Sequence, residues 1–297
     1  MLLCHVCRLG RLELNYNFRF RWVALQLLEL KRCSSLRAVK DQLATLPKDL
    51  NEVYERILLK IDERDVTDTK TFLRWFAFST RPMTLKEVAE TVVVDLNSES
   101  GSVCDYERRY ISDQNVLERC SGLIAESKGM NLSGTILYFL NYETGKVKLA
   151  HFSIKEYLVS KYLCTGAASS FHLTEELSHL LIAQTCLVYL LQLDTFRVEN
   201  DVNEHFPLAL YAAEHWILHA QSGGIDRSEP SSMLALAMKL LTAKSMPFTN
   251  WVRTWKVVNS FDYQVDGTVH MDEMQDQTAG PLYMGLHSRQ HHMEVMR

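Results

Sequence analysis

A chain of 297 residues is long enough for about two domains of ordinary size, and 47% hydrophobic residues can fill their cores, which excludes wholesale disorder. The formal net charge of −4 supplies no global drive toward nucleic acid or an anionic membrane. Seven scattered cysteines, an odd number, read as reduced thiols of a cytosolic or nuclear protein.

No apolar run approaches the roughly 20 residues that span a bilayer. The richest stretch, Leu180 to Leu191, is short and interrupted by Gln184 and Thr185. The opening MLLCHVCRLGRLELNYNF lacks an apolar core followed by a small-residue cleavage site. The expectation is a soluble, cytoplasmic protein.

Residues 1–19 form an unassigned N-terminus. Cys4 and Cys7 make a lone C-x-x-C around His5, a weak metal signal because zinc needs two more ligands. Trp22, Leu25, Leu28 and Leu30 then predict a helix ending near the Cys33-Ser34-Ser35 break. Leu36, Val39 and Leu43 predict a second, stopped by Pro47. Leu50, Val53, Tyr54, Ile57, Leu58 and Ile61 fall at i, i+3, i+4, i+7, i+8 and i+11, the signature of an amphipathic helix.

Further on, Phe72, Leu73, Phe76 and Ala77 make a buried helix stripe. Arg81-Pro82 breaks the chain, and Thr84 caps the next helix with Glu87 in the capping-box position. Residues 97–112 read as a polar loop, and Asn115 to Cys120 as a short helix. CSGLIAES, ILYFLNY and KVKLAHF read as strands, with turns at Lys128 to Ser133 and Glu143-Thr144-Gly145.

Val147, Leu149 and His151 alternate with polar or small neighbours, which puts His151 on the inward face of the last strand. Ser153 and Glu156 then read as an S-x-x-E capping box opening a helix through Ile154, Tyr157, Leu158 and Tyr162. A histidine so close to a helix N-terminus sits in positive potential and should be neutral at pH 7. From composition alone it is a structural histidine satisfying a nearby carbonyl.

From Phe171 the chain reads as wholly helical. Thr174 caps a long helix through Leu177, Leu180, Leu181, Leu187, Leu190 and Leu191. Pro207 starts LALYAAEHWILHAQ, apolar on several sides and closed by Gly223-Gly224. Leu234, Ala237, Met238 and Leu241 mark a third helix, and Trp251 and Trp255 a fourth. His215 and His219 have metal-capable i, i+4 spacing, but without an H-E-x-x-H motif a packing role is the reading.

Several of these stretches carry a resemblance. FRWVALQLL and LPKDLNEVYERIL resemble the helical end of a NACHT module. FLRWFAFSTRPMTLKEVAETVVVD and LAHFSIKEYL resemble the winged helix of fungal NACHT–ankyrin proteins, a domain named after the GPI inositol-deacylase. YAAEHWILHA resembles their helical linker, and GPLYMGLHSRQHHMEVMR, with Pro281-Leu282, the opening of an ankyrin repeat.

The fold this implies is mainly α. A NACHT-like helical end spans 20–65, a winged-helix domain with a small β-sheet spans 66–165, an α-helical linker spans 166–280, and a partial ankyrin repeat spans 281–297. In NACHT regulators the matching histidine touches the phosphates of bound ADP, so the resemblance implies that role for His151 wherever a complete NACHT module is present.

No G-x-x-x-x-G-K-[ST] cradle and no G-x-S-x-G elbow occur in the sequence. The expectation is therefore a non-enzymatic regulatory piece of a NACHT–ankyrin signalling protein, with no metal and no cofactor of its own; ATP or ADP belongs only to a complete NACHT protein. It would act through protein or intramolecular domain contacts, with oligomerisation open to a full-length relative. The alternative is a nucleotide-responsive switch whose P-loop half is supplied by a longer form or partner chain. DNA binding ranks last: the recognition-helix candidate Asp113 to Arg119 offers one arginine beside Asp113 and Glu118.

Overall fold

The computed structural model describes residues 21–98, 101–127, 145–195, 205–224, 232–243 and 245–263. Residues 1–19, the ILYFLNY strand and the ankyrin-like stretch 281–297 lie outside the described residues. What is described is mainly helical with small antiparallel sheets. It divides into two compact units, residues 1–89 with 110–175 and residues 90–109 with 176–297. In this division residues 90–109 group with the later helices.

In the first unit α1 (residues 21–31), α2 (Leu36–Ala44) and α3 (Leu50–Leu59) form where the sequence predicts helices, but α2 buries none of its residues, its Leu36 being 82% and Leu43 48% exposed. Ser35 caps α2 by accepting from Ala38 N–H, and Asp49 caps α3 by accepting from Glu52 N–H. Helix α4 (Val66–Phe78) buries Phe72, Leu73 and Ala77 as expected, but Trp75 and Phe78 complete the buried face where Phe76 stays half-exposed. Strand β1 (Met83–Thr84) leads into α5 (Leu85–Glu90).

The capping box between them is present. Thr84 N–H donates to Glu87 Oε2 at 2.7 Å, and Glu87 N–H donates to Thr84 Oγ1 at 3.2 Å. Helix α6 (Asn115–Arg119), β4 (Ile124–Ser127) and β5 (Lys146–Leu149) come next. The sheet runs in the order β1-β5-β4, with Met83 opposite Val147 and Ile124 opposite Leu149. Helices α7 (Phe152–Leu158) and α8 (Lys161–Thr165) close the unit.

The second unit holds a hairpin that the sequence reading left as loop: β2 (Val94–Asp95) pairs with β3 (Val103–Cys104). Gly101, at φ 93°, takes the left-handed conformation in its turn. The long helix α9 (Glu175–Leu191) buries nearly every side chain of its second half, while Leu177, expected inside, is 53% exposed. Helix α10 (Ala209–Ser222) is buried on several sides, as its composition implied.

Helix α11 (Ser232–Leu240) buries the expected Ala237 together with Met233 and Leu240, while the expected Leu234 and Met238 are exposed. Helix α12 (Met246–Tyr263) packs on α10. There Trp251 stands edge-on to Trp216, centroids 5.9 Å apart, and donates Nε1–H to Ala213 O at 3.0 Å.

Candidate functional site

Strand β5 ends at Leu149, and His151 stands in extended backbone directly before α7. The residue that caps α7 is His151 itself. Its Nδ1 accepts from Ser153 N–H at 3.2 Å. This corrects the capping box read at Ser153 and Glu156. Helix α7 begins at Phe152, so Ser153 already lies inside it, 3% exposed, while Glu156 is exposed on the outer face.

Ser153 has another task. Its Oγ lies 2.7 Å from His151 Nδ1 and 2.8 Å from the hydroxyl of Tyr54 on α3. Tyr54 is 1% exposed and Ser153 is buried, so this chain of polar atoms must satisfy itself. Because Nδ1 accepts the Ser153 N–H, the tautomer that fits carries its proton on Nε2. Tyr54 O–H then donates to Ser153 Oγ, and Ser153 O–H donates to Nδ1.

Arg21 on α1 completes the cluster. Its Nη2 donates to Gly122 O at 2.7 Å, and its charge acts on both Tyr54 and His151. Burial, then Arg21, pushes the His151 imidazole below its ordinary pKa, with Glu156 opposing weakly. The ring is therefore neutral at pH 7, the expected direction, though burial and Arg21 are the causes here. Sequence reasoning missed Arg21 and read Tyr54 only as an apolar stripe residue; no spacing rule ties either to His151.

The buried Ser153 hydroxyl is held between two partners and is no exposed nucleophile. Nearby, a cavity of about 550 Å³ lies among α1, α3 and α6, floored by Leu25, Val53 and Ile57. Its charged rim is largely internally paired: Lys60 meets Glu29 at 2.7 Å and Arg119 meets Asp65 at 3.0 Å. Arg119, the one arginine of the recognition-helix candidate, also lies over the Tyr110 ring at 4.7 Å.

The second unit contains two polar clusters of its own. Glu90, 3% exposed, receives both Arg109 Nη2 and Arg109 Nε, the latter at 2.9 Å, and the Tyr189 hydroxyl at 2.8 Å. Hydrogen bonding to Glu90 raises Arg109, and burial, then Glu90, pushes Tyr189 up. Arg109 thus ties the segment after the hairpin to Glu90 and, through that carboxylate, to Tyr189 of α9; the sequence showed it only as a loop base.

The other cluster is histidine-rich. His219, 0% exposed, puts Nδ1 2.7 Å from His179 Nδ1 and Nε2 2.9 Å from the Tyr211 hydroxyl. Desolvation, then His179 and His215, lowers His219 to about 3. The 2.7 Å approach is a hydrogen bond, and among the described residues no group of three metal-type ligands is placed to hold an ion. His215 and His219 are therefore joined to the packing of α10, His215 through its ring against Tyr211 at 4.7 Å.

No helix among the described residues is long and apolar enough to cross a membrane. The chain is 32% identical over 245 residues to a Monascus ruber protein described as azaphilone pigments biosynthesis cluster protein L. The match covers 80% of this chain and 48% of that relative, so the chain spans about half the length of the curated relative it matches. No family model matches the chain, and no solved structure matches it.

Proposed function

We propose that the chain is a non-enzymatic regulatory segment of the NACHT–ankyrin type, built on a winged helix and working through contacts with other domains or proteins. The observation that carries this reading is the order of the first unit: α4, β1, α5, α6, β4, β5, with β5 between β1 and β4 and His151 following it. This succession supports a winged-helix reading, in which His151 would stand where the resemblance puts the ADP-phosphate sensor. The neutral imidazole, with Nδ1 engaged in the helix cap, is compatible with that role.

DNA binding fits less well, since Arg119 is committed to Asp65 and Tyr110. The relative's tie to a pigment biosynthesis cluster names no reaction, so it does not compete with a regulatory reading.

Two measurements test this. The purified chain should turn over no ATP or GTP; turnover that survives repurification and follows the protein through gel filtration overturns the non-enzymatic reading. In a longer protein carrying this segment behind a P-loop, replacing the histidine at the place of His151 by alanine should lower the ADP retained after gel filtration. Equal retention removes His151 from a sensor role.

A further inference from the structure

Most arginines of the first unit that reach out of the core have an anion waiting. Arg56 meets Glu52, Arg81 meets Glu87 and Arg119 meets Asp65. Helix α4 carries two cations for which the described residues place no anion. Lys70 and Arg74 stand one turn apart on the same face, close enough for the Arg74 charge to act on Lys70.

Neither forms an ion pair or hydrogen bond among the described residues, and Arg74 Nε is buried with no acceptor. Both side chains are half-buried. Phe78, one further turn along, lies under a third cation: Lys155 Nζ is 4.6 Å from its ring centroid.

This arrangement is unfavourable as it stands. A desolvated donor without an acceptor destabilises the fold, and like charges at i, i+4 add to the strain. Burial alone pushes Arg74 below the usual guanidinium range; burial, then Arg74, pushes Lys70 down. An arginine free to swing into water would escape both penalties. What the face lacks is an anion able to serve two cations together. A carboxylate neutralises one of them, whereas a phosphate dianion can accept from the guanidinium fork and the ammonium at once.

We propose that Lys70 and Arg74 form a binding site for a phosphate group, with Lys155 as an outer cation. The ligand class is a phosphomonoester or inorganic phosphate held by its phosphate oxygens. The proposal is independent of His151 and of the regulatory reading above.

The test uses the full chain, with thermal unfolding followed at constant ionic strength while chloride is exchanged for inorganic phosphate. The melting temperature should rise and saturate in the millimolar range. Lys70→Gln and Arg74→Gln should each weaken the apparent phosphate affinity by roughly tenfold or more, the worth of one charge-assisted hydrogen bond, and Lys155→Gln by less.

Without phosphate, Arg74→Gln should be no less stable than the wild type, because it removes an unpaired charge; a merely structural arginine would be missed. Arg64→Gln, exposed and paired with Asp62, should leave the phosphate response unchanged. If Arg74→Gln does not fold, the site is structural and the proposal falls, whatever Lys70→Gln does.

Glycerol 2-phosphate matching inorganic phosphate assigns recognition to the phosphate alone. ADP binding more tightly through the same two residues identifies a nucleotide as its source. A response equal with acetate, a response retained in both variants, or displacement of phosphate by short duplex DNA overturns the proposal.

Discussion

Replacing Ser153 by alanine separates two accounts of how α7 begins. If Ser153 and Glu156 formed a capping box, Ser153→Ala would remove a cap for about 1 kcal/mol, and Glu156→Ala would remove its reciprocal half. The structure assigns a different loss. Ser153 Oγ joins His151 Nδ1 at 2.7 Å to Tyr54 OH at 2.8 Å, and Tyr54 is 1% exposed. Without Oγ the Tyr54 hydroxyl keeps its proton with no acceptor, inside the core. A buried polar group left unpaired costs about 1–3 kcal/mol, and this site belongs in the upper half because water cannot reach it. Nδ1 retains the Ser153 N–H, so the helix start itself survives.

Tyr54→Phe removes the stranded hydroxyl, so the double variant should cost less than the sum of the singles by about 1 kcal/mol or more. Glu156→Ala should stay within about 0.5 kcal/mol of wild type, as exposed positions do. Urea unfolding with an unchanged m-value reads all four. Additive singles, or a Glu156→Ala loss equal to that of Ser153→Ala, would refute the polar chain and restore the capping box.

Arg109→Met should destabilise by roughly 2–4 kcal/mol, between the values for exposed and fully buried pairs, since Glu90 is 3% exposed and the Arg109 side chain 40%. Adding Glu90→Gln should recover part of that loss in chemical denaturation, and no recovery would show that the pair's charge is immaterial. His219 is lowered from 6.5 to about 3 in the folded state, so its contribution is full above pH 6.5 and is lost as pH falls. Between pH 7 and pH 5 about 2 kcal/mol should disappear, and His219→Gln should flatten that part of the curve. Gly223→Ala would set a Cβ 2.8 Å from Leu180 N, backbone against backbone, and should cost about 1–3 kcal/mol in a thermal or urea melt.

Periodicity made helices legible where one face is buried and the other wet. Leu50, Val53, Tyr54 and Leu58 are inside as their spacing requires, and the Thr84–Glu87 box closes as its four letters imply. The same rule failed where burial surrounds the helix. In α9 the second half is buried on every side, so its leucines no longer mark a face, and Leu177 is left outside. In α11 the apolar run SMLALAM offers two registers, and packing kept the expected Ala237 but took Met233 and Leu240 in place of Leu234 and Met238.

The candidate site was legible in one residue. His151 came from a strand alternation and a resemblance. Tyr54 and Arg21 reach it from 97 and 130 positions away in the chain, which no local pattern encodes. The cap was misread for a local reason: an imidazole Nδ1 can do what a serine hydroxyl does, and it does so two residues earlier.

Charge shows the same limit in a form that bears on function. A net charge of −4 argues against a polyanion partner only if the cations are spread among the acids. They are not. The arginine of the recognition-helix candidate, which a DNA-binding reading needs, is tied to Asp65 and stacked on Tyr110. Lys70 and Arg74, for which the described residues place no anion, lie instead on α4, which the sequence reading gave as a buried helix stripe. Two charges held half-buried on one face make too short a track for a duplex backbone, where several phosphates must be met at once. They are enough for one phosphate, and that difference in scale separates a small-anion site from a nucleic-acid surface on the same acidic chain.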